Sequence, residues 1–339
     1  MIPVKGYAAQ NPKAPLAPHK FERRELGPHD ILIDIKYCGV CHSDIHMARD
    51  EWGGSMYPLV PGHEIVGTVN KVGTAVKKFK AGDLAAVGVI VDSCRTCSSC
   101  KQGLEQYCEV HWVPTYSGYE MDMKTITYGG YSNQIVTDES FVLRFSDKLK
   151  LEGVAPLLCA GITTYSPLRH WKVGKGSKVA VAGLGGLGHM AVKFAAAFGA
   201  EVTMLSTSTS KQADAKRLGA THFVNMRDES AVAKSKNQFD VIINTISAQH
   251  NINDYVSLLK LDGTMVMVGI PPEDPSLHVS GIIGKRKSIA GSMIGGVKET
   301  QEMLDFCAEK NIVSDVEVIA MKDINTAYER MMKGDVRYR

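Results

Sequence analysis

The sequence contains no apolar run close to the ~20 residues that a membrane-spanning helix needs, and residues 1–10 lack the basic and apolar regions of a signal peptide. Neither sign of charge dominates: 39 basic residues face 36 acidic ones, which leaves a net charge of +3 and no basic block. There is no internal repeat and no low-complexity tract. These absences predict a cytoplasmic protein that binds neither membranes nor nucleic acid.

The length and the cysteines give the first positive indications. A chain of 339 residues exceeds one ordinary core, and its 44% hydrophobic and 22% charged residues are typical of globular proteins, so we expect two domains. Eight cysteines are poor disulfide candidates in a reducing compartment. Because four of them fall between Cys94 and Cys108, metal binding is the leading interpretation.

Two styles of sequence divide the chain. Up to about residue 150 the sequence is rich in Gly, Pro and short β-branched runs, which favours an irregular β-barrel-like domain with strands at 31–37 and 64–72. From about residue 175, short apolar segments alternate with helical ones, as in right-handed βαβ units with a parallel sheet. The predicted strands are 178–182, 201–205, 222–225, 240–244, 263–269 and 288–294, and the predicted helices are 189–198 and 211–218. From about residue 297 we expect one helix, 299–308, and a polar tail that returns to the first domain.

A glycine-rich loop directly follows the strand KVAVA and precedes the helix HMAVKFAAAF, with the spacing G-x-G-x-x-G. The first glycine permits a tight turn, the second lets the backbone approach a pyrophosphate, and the third lets the helix pack on the strand. This context favours a dinucleotide site over a merely structural glycine turn. The loop residues predicted to bind the dinucleotide are Gly183, Leu184, Gly185, Gly186, Leu187 and Gly188.

The next strand ends where an NAD-specific protein would hold a carboxylate for the ribose 2′-hydroxyl. Here Ser206, Thr207, Ser208 and Lys211 follow instead. Hydroxyl donors and an ammonium group suit a 2′-phosphate, which a carboxylate would repel. The alternative is an ordinary Ser/Thr-rich turn with a helix N-cap, and within a dinucleotide-binding domain we predict NADP(H).

Four cysteines form the spacing C-x2-C-x2-C-x7-C. Four thiolates on a short loop can close a tetrahedral zinc site with no open position, and such a site stabilises a loop without doing chemistry. An iron–sulfur cluster is the competing interpretation, but the ferredoxin run continues C-x3-C-P, which this sequence does not. We therefore predict a structural zinc bound by Cys94, Cys97, Cys100 and Cys108.

Three other candidate ligands are scattered, and for each of them alone an ordinary core residue is the better interpretation. Their surroundings are more specific: Cys41 lies in GVCHSD, His63 in GHE and Cys159 in LCAGITTY. The chain resembles the zinc-dependent medium-chain alcohol dehydrogenases over nearly its whole length, above all the cinnamyl alcohol dehydrogenase branch with its bacterial NADP-dependent aldehyde reductases. The stretches that carry the resemblance are YCGVCHSDIH, YPLVPGHEIVG, GDLAAVGVIVDSC, APLLCAGITTYSPL, GLGGLGHMAVK, GSMIGG and ETQEMLDFCAE.

The resemblance implies an α/β fold. Residues 1–160 and 294–339 would form a GroES-like, β-rich catalytic domain, and residues 161–293 a Rossmann NADP-binding domain with a doubly wound parallel sheet. The family normally continues past the segment DVRYR into a short apolar strand, so an ending at Arg339 is a departure that bears on the first domain and on the setting of Arg337.

The resemblance also implies the catalytic machinery. Cys41, His63 and Cys159 would bind a catalytic zinc and leave one position for a substrate oxygen, a ligand set that is established for alcohol dehydrogenases. Glu64 would be an acidic neighbour that can bind the metal, and Asp44 would orient His63. Ser43 and His46 would form a proton relay, and Trp52 and Trp112 would line the aldehyde pocket. The residues expected to contact the cofactor are Thr163, His42, Arg337, Thr245, Val268, Gly269 and Ser292.

The predicted activity is hydride transfer between NADPH and small aliphatic or aromatic aldehydes, by a homodimer with two zinc ions per chain. One alternative is an NADPH quinone reductase of the same fold, and another is a non-enzymatic sensor that binds zinc and NADPH. The quinone reductases lack zinc ligands, and a sensor has no use for an open metal position. Both alternatives therefore conflict with the two metal constellations.

Overall fold

The computed structural model describes residues 1–339, and the chain divides into two units. Unit 1 comprises Met1–Ile162 and Gly295–Arg339, and unit 2 comprises Thr163–Ile294. No helix has both the length and the apolar character required to cross a membrane.

Antiparallel strands form most of unit 1. The central sheet has the order β5-β4-β3-β8, and two smaller sheets pair β1 with β2 and β6 with β7. Its strands are β1 (Ile2–Ala8), β2 (Ala17–Arg23), β3 (Asp30–Cys38), β4 (Ile65–Val72), β5 (Leu84–Val87), β6 (Ile90–Ser93), β7 (Trp112–Pro114) and β8 (Gln134–Asp138). Its helices are α1 (His42–Ala48), α2 (Ser98–Lys101), α3 (Leu151–Val154), the start of α4 (Ala160–His170), α10 (Val297–Lys310) and α11 (Ile324–Met332).

Isoleucine and valine side chains explain the central sheet. Ile31 and Ile33 alternate along β3 and are fully buried against Ile65 and Val69 of β4. This alternation directs one face of the sheet into the core. β4 leaves its pairing with β3 at Ile65, so the residues just before it, His63 and Glu64, lie at the end of a rigid strand.

Unit 2 contains a six-stranded sheet in which every pairing is parallel, in the order β11-β10-β9-β12-β13-β14. The chain order reverses between β9 and β12, and at such a reversal an open sheet leaves a crevice beyond its carboxyl ends. The strands are β9 (Lys178–Ala182), β10 (Glu201–Ser206), β11 (His222–Asn225), β12 (Phe239–Asn244), β13 (Leu259–Met267) and β14 (Ser288–Gly291). The helices are α5 (Gly186–Ala197), α6 (Gln212–Leu218), α7 (Glu229–Lys234), α8 (Ile252–Val256) and α9 (Val279–Ile283).

These two units confirm the predicted α/β fold, with a β-rich part and a parallel-sheet part. The prediction of a polar tail after α10 was wrong, because residues 324–332 form α11. Ile324, Ala327, Tyr328 and Met331 follow the i, i+3, i+4, i+7 spacing of an amphipathic helix, and Ile324 and Tyr328 are buried, so the sequence INTAYERMM carried a helical signal that the prediction overlooked. The strand predicted at 288–294 ends earlier, at Gly291, and Ile294 has a left-handed φ of 37°.

Candidate metal centres and dinucleotide site

A fully buried carboxylate, Asp44, organises the first candidate site. Its Oδ1 accepts hydrogen bonds from the Gly62 N–H (3.0 Å) and from Nδ1 of His63 (3.1 Å), and its Oδ2 accepts from the Cys41 N–H (2.9 Å) and the Tyr131 hydroxyl (3.2 Å). Because a carboxylate only accepts, the proton of His63 is assigned to Nδ1. Nε2 of His63 is therefore the ring nitrogen that faces a metal, and it becomes a ligand once it has lost its proton.

The predicted catalytic ligands come together around that nitrogen. One ligand atom each from Cys41, His63, Glu64 and Cys159 lies within 4.8 Å of all the others, and all four residues are buried. The two sulfur atoms are 4.0 Å apart. Tetrahedral zinc with Zn–S bonds of ~2.3 Å places two sulfurs ~3.8 Å apart, so the donor set fits zinc in both chemistry and spacing.

The electrostatics of this cluster favour the metal-binding form of Cys41 and oppose that of His63. The neighbouring Cys159, together with Arg339 and His63, holds the pKa of Cys41 well below its usual range, so its thiolate is favoured. Burial alone would lower the pKa of His63, but Asp44 and Cys41 outweigh it and raise that pKa to about 10. A metal must therefore displace a proton from His63 when it binds.

Glu64 occupies a special position beside the cluster. Its Oε1 pairs with the guanidinium of Arg339, whose side chain is itself buried, while its Oε2 is buried without any hydrogen-bond partner. An orphaned buried oxygen next to two thiols and an imidazole fits a carboxylate that can turn onto a metal. Arg339 was not among the predicted site residues, and nothing in the sequence around it distinguished it from Arg337.

Four of the six other cysteines form a second cluster on the segment between β6 and β7. Sγ of Cys94 is 3.9 Å from that of Cys100, and Sγ of Cys97 is 4.0 Å from that of Cys108, again the spacing of a tetrahedral thiolate site. Backbone N–H groups of Thr96 and Cys97 lower the pKa of Cys94 to about 6, whereas burial raises the pKa of Cys100 to about 12. The structure thus brings together all four residues of the predicted structural zinc site.

The second cluster is anchored within unit 1. Oε2 of Glu105, which lies between Cys100 and Cys108, accepts a hydrogen bond from the N–H of Val297 (3.0 Å) at the first residue of α10. Gly296 permits this approach, because a Cβ there would lie 1.8 Å from the carbonyl oxygen of Gly103. The segment that carries the four thiols therefore rests on the start of α10.

The glycine loop of unit 2 has the geometry expected of a dinucleotide site. Gly183 has a φ of +89°, and a Cβ on Gly188 would lie 1.9 Å from the Gly183 carbonyl oxygen, so neither position accepts a side chain. A Cβ on Gly185 would meet no atom within 4 Å, which leaves that backbone open to a ligand. No side chain caps the N-terminus of α5, so its first N–H groups are available to an anion.

The predicted 2′-phosphate residues lie at the end of β10, beside this loop. Nζ of Lys211 donates a hydrogen bond to the carbonyl oxygen of Leu184 (2.8 Å), which joins the two loops. Ser206 is buried, and its hydroxyl bonds the main chain of Ser208. Thr207 is exposed and Ser208 is partly exposed, so these hydroxyls are the more accessible donors.

The predicted relay residue His46 has two partners. Glu51 was not predicted as a site residue, and Trp52 was predicted for the aldehyde pocket and not as a partner of His46. Nδ1 of His46 is 2.5 Å from Oε2 of Glu51, and the His46 ring stacks on Trp52 with centroids 4.8 Å apart. The hydroxyl of Ser43 lies 3.6 Å from Sγ of Cys41. Glu51 lies five residues after His46, beyond the end of α1, and this spacing is not a helical one. The turn that follows the helix brings Glu51 into contact with His46.

The other predicted contacts are distributed over both units. In unit 2, Thr163 is buried on α4, and the remaining residues follow the carboxyl ends of β12, β13 and β14, where a dinucleotide lies on such a sheet. Those residues are Thr245, Val268, Gly269 and Ser292. In unit 1, His42 opens α1, Trp112 opens β7, and the exposed Arg337 donates its N–H to Glu317 (2.9 Å). The structure brings Trp52, but not Trp112, into contact with a relay residue.

A cavity of about 850 Å³ also opens in unit 1. Tyr37, Cys38, Tyr131 and Arg339 contribute to its lining, but none of the cysteines or histidines of the two metal clusters does. This cavity therefore does not mark the site of the proposed chemistry.

Two family profiles match the chain. Residues 27–147 match a profile described as an alcohol dehydrogenase GroES-like domain, and residues 186–309 match one described as a zinc-binding dehydrogenase. Among characterised relatives, the chain is 54% identical to the aldehyde reductase YahK of Escherichia coli, over 99% of this chain and 97% of that protein. It is 52% identical to NADP-dependent alcohol dehydrogenase C 1 of Mycolicibacterium smegmatis, over 100% of this chain and 97% of that protein.

Solved structures agree with these relatives. A cinnamyl alcohol dehydrogenase from Sorghum bicolor superimposes with a TM-score of 0.96 at 45% identity, covering 99% of this chain and 96% of that one. The cinnamyl alcohol dehydrogenase of Helicobacter pylori, solved in complex with NADP(H), superimposes with a TM-score of 0.93 at 46% identity, with the same coverage.

We predict two zinc ions per chain that differ in what they stabilise. Cys41→Ser should remove one zinc and leave the melting temperature nearly unchanged, because the open cluster contributes little to the fold. Cys100→Ser should remove the other zinc and lower the melting temperature by several degrees, because a closed site contributes folding free energy. Elemental analysis and thermal unfolding measure both. Two zinc ions in purified Cys41→Ser would show that this cluster does not hold a metal.

Proposed function

The chain belongs to the zinc-binding alcohol dehydrogenases with a GroES-like domain, and we propose that it reduces small aliphatic and aromatic aldehydes to primary alcohols with NADPH. Its relatives are alcohol dehydrogenases and aldehyde reductases, so it is an oxidoreductase of the zinc-dependent alcohol and aldehyde type. We assign the catalytic domain to residues 1–160 and 294–339 and the NADP-binding domain to residues 161–293.

One observation carries the proposal: Cys41, His63 and Cys159 converge, with Asp44 fixing the imidazole. When bound there, Zn²⁺ supplies a Lewis acid that polarises the aldehyde carbonyl, and NADPH supplies the hydride. Two thiolates offset the charge of the ion, and three ligands leave one position open to the substrate oxygen. A site built only for structure would close that position, as the four-cysteine cluster does.

The chain's own residues then have to supply a proton. Reduction adds a hydride to the carbonyl carbon and a proton to the carbonyl oxygen. Ser43, beside Cys41, would bind that oxygen and donate its hydroxyl proton to it, and His46 would resupply the proton. Glu51 orients the His46 ring through Nδ1, and its half-exposed side chain opens the path to solvent.

The cofactor assignment rests on charge. The 2′-phosphate of NADP carries close to two negative charges, and Lys211 brings an ammonium to the edge of the glycine loop. Thr207 and Ser208 offer hydroxyl donors on the same turn, and no carboxylate stands at the end of β10 to bind the 2′-hydroxyl of NAD. The hydrogen bond from Lys211 to the Leu184 carbonyl oxygen supports this assignment, because it brings the lysine to the glycine loop.

The same geometry argues against the alternatives. A zinc-free quinone reductase has no use for either cluster. A zinc- and NADPH-binding sensor has no use for the open position at Cys41, His63 and Cys159. A spectrophotometric assay that follows NADPH oxidation with a panel of aliphatic and aromatic aldehydes tests the activity directly, and no turnover with any of them would favour the sensor.

We also propose a cytoplasmic homodimer. The structure contains no disulfide, and six of the eight cysteines lie in the two candidate zinc clusters, which supports a reducing compartment. The sheet of unit 2 ends at β14, whose outer edge is unpaired, and the same unit exposes Ile270, Val279 and Ile283. An open edge next to exposed apolar side chains favours pairing with a second copy. A monomeric mass in light scattering would contradict the dimer.

We predict that Lys211→Ala lowers catalytic efficiency with NADPH by roughly 10- to 100-fold and leaves NADH nearly unaffected. Each charge-assisted hydrogen bond to the phosphate contributes about 1.5–3 kcal/mol, and tenfold corresponds to about 1.4 kcal/mol. Lys216→Ala, an exposed lysine on α6, is the matched control and should change neither. Thr207→Asp should repel the phosphate and favour NADH. Equal wild-type efficiency with both cofactors would refute the assignment.

For the relay, we predict that His46→Gln lowers kcat at neutral pH by up to ~100-fold, the lower end of what general acid–base groups contribute, because water partly replaces a distal proton carrier. Glu51→Gln should lower it less and alter the dependence of kcat on pH. His222→Gln, which changes an exposed histidine of unit 2 that pairs with Glu201, is the control. If His46→Gln kept the wild-type pH–rate profile, His46 would have no part in proton transfer.

A further inference from the structure

Another buried charge in unit 1 lies apart from the predicted site. Arg23, at the end of β2, is only 9% exposed, yet no carboxylate pairs with it directly; the nearby Glu120 is paired with Arg24 instead. Burying a cation without a counterion is costly unless hydrogen bonds replace its water. Hydrogen bonds to neighbouring groups must therefore stabilise the Arg23 guanidinium.

Its guanidinium is satisfied by one short stretch of chain, residues 128–134. Nε donates to the carbonyl oxygen of Gln134 (2.8 Å), Nη1 to that of Tyr128 (2.8 Å), and Nη2 to that of Gly129 (3.0 Å) and to the hydroxyl of Ser132 (3.1 Å). A planar fork with five N–H groups can fix several acceptors in one arrangement. Arg23 therefore determines how this stretch folds back on itself.

The same stretch lies backbone to backbone against the residues that precede His63. The N–H of Gly129 donates to the Val60 carbonyl oxygen (2.8 Å), that of Tyr131 to Pro61 (2.9 Å), and that of Gly130 to Gly62 (2.8 Å). Side chains are excluded from the contact, since a Cβ on Gly129 would lie 2.2 Å from the Pro61 carbonyl oxygen. Any shift of residues 128–134 must therefore move the backbone that carries His63.

The stretch also reaches the imidazole by a second route. Tyr131 donates its hydroxyl to Oδ2 of Asp44 (3.2 Å), and Oδ1 of Asp44 holds Nδ1 of His63 (3.1 Å). Both the backbone and the carboxylate that orient His63 thus depend on the conformation that Arg23 fixes.

We propose that Arg23 is a positioning residue for the catalytic zinc, which it reaches through residues 128–134, Asp44 and His63. The inference rests on the proposed zinc site at Cys41, His63 and Cys159. It assigns to this buried arginine a role in metal retention and turnover, in addition to any contribution to stability.

The test compares Arg23→Lys with Arg24→Lys in the zinc-loaded protein. Lysine keeps the charge but presents its donors from one atom, so it cannot bond all four acceptors. Arg24 is the matched control: it is the adjacent residue and is also partly buried, but its partners are Asp30 and Glu120 rather than residues 128–134. Zinc release to a chelator is followed by elemental analysis, and the cobalt-substituted proteins are compared by visible absorption.

In Arg23→Lys we expect the catalytic zinc to be released roughly 10-fold faster, in line with the lower end of the ~10- to 100-fold loss of metal affinity that follows removal of a group orienting a ligand. The cobalt spectrum should shift, and the four-cysteine zinc should be retained. Cys41→Ser, which lacks the catalytic site, identifies the zinc that is released. Arg24→Lys should lower the melting temperature without changing zinc release. Tyr131→Phe, which removes only the route through Asp44, should change zinc release in the same direction and serves if Arg23→Lys does not fold.

The proposal is overturned if Arg23→Lys and Tyr131→Phe lower the melting temperature but leave the rate of zinc release and the absorption spectrum of the cobalt protein as in the wild type. Arg23 would then only stabilise the fold. Failure of the zinc site itself gives a different result. In that case Cys41→Ser would retain the full zinc content, whatever the arginine variants do.

Discussion

The site depends on one buried carboxylate. Asp44 has no exposed surface and would cost several kcal/mol to bury without partners, yet it accepts four hydrogen bonds from three separate parts of unit 1. Those bonds fix the start of α1, the turn before β4 and residues 128–134 relative to one another. Cys41 and His63 lie on the first two of these segments, so the carboxylate that orients the imidazole also fixes the distance between the ligands.

The two candidate metal clusters of unit 1 differ in burial and in the kinds of ligand they offer. The four-cysteine cluster sits on a partly exposed segment with only thiol donors, and that segment rests through Glu105 on the start of α10. The cluster around His63 is buried, mixes sulfur with nitrogen, and has Glu64 beside it with one unsatisfied oxygen. A closed set of equivalent thiolates suits stability, while an unequal, incomplete set suits chemistry.

Much of the fold and part of the site could be predicted from local sequence. The parallel strands follow from short apolar segments that alternate with helical ones. Gly183 is required by its positive φ and Gly188 by a close backbone contact, as the spacing of the glycines already implied. The four-cysteine cluster follows from spacing on one loop. Cys41, His63 and Cys159 required a family resemblance, because 118 residues separate the two cysteines and only the folded chain brings them together.

The missed residues share a physical reason. Glu51 lies beyond the end of α1, Arg339 meets Glu64 across 275 positions, and Arg23 acts through carbonyl groups that carry no side-chain signature. None of these contacts has a period or a spacing in the sequence. α11 is a different case, because Ile324, Ala327, Tyr328 and Met331 have the spacing of an amphipathic helix, and this helix could have been predicted from the sequence.

The central claim is that Asp44 presents His63, with Cys41 and Cys159, to a catalytic zinc. Anomalous diffraction from crystals of the zinc-loaded protein, recorded on both sides of the zinc absorption edge, tests it most directly. The account predicts two peaks per chain, one bounded by the four-cysteine cluster and one within bonding distance of Cys41, His63 and Cys159. A peak at the four cysteines alone, in a protein that still reduces aldehydes with NADPH, would contradict it.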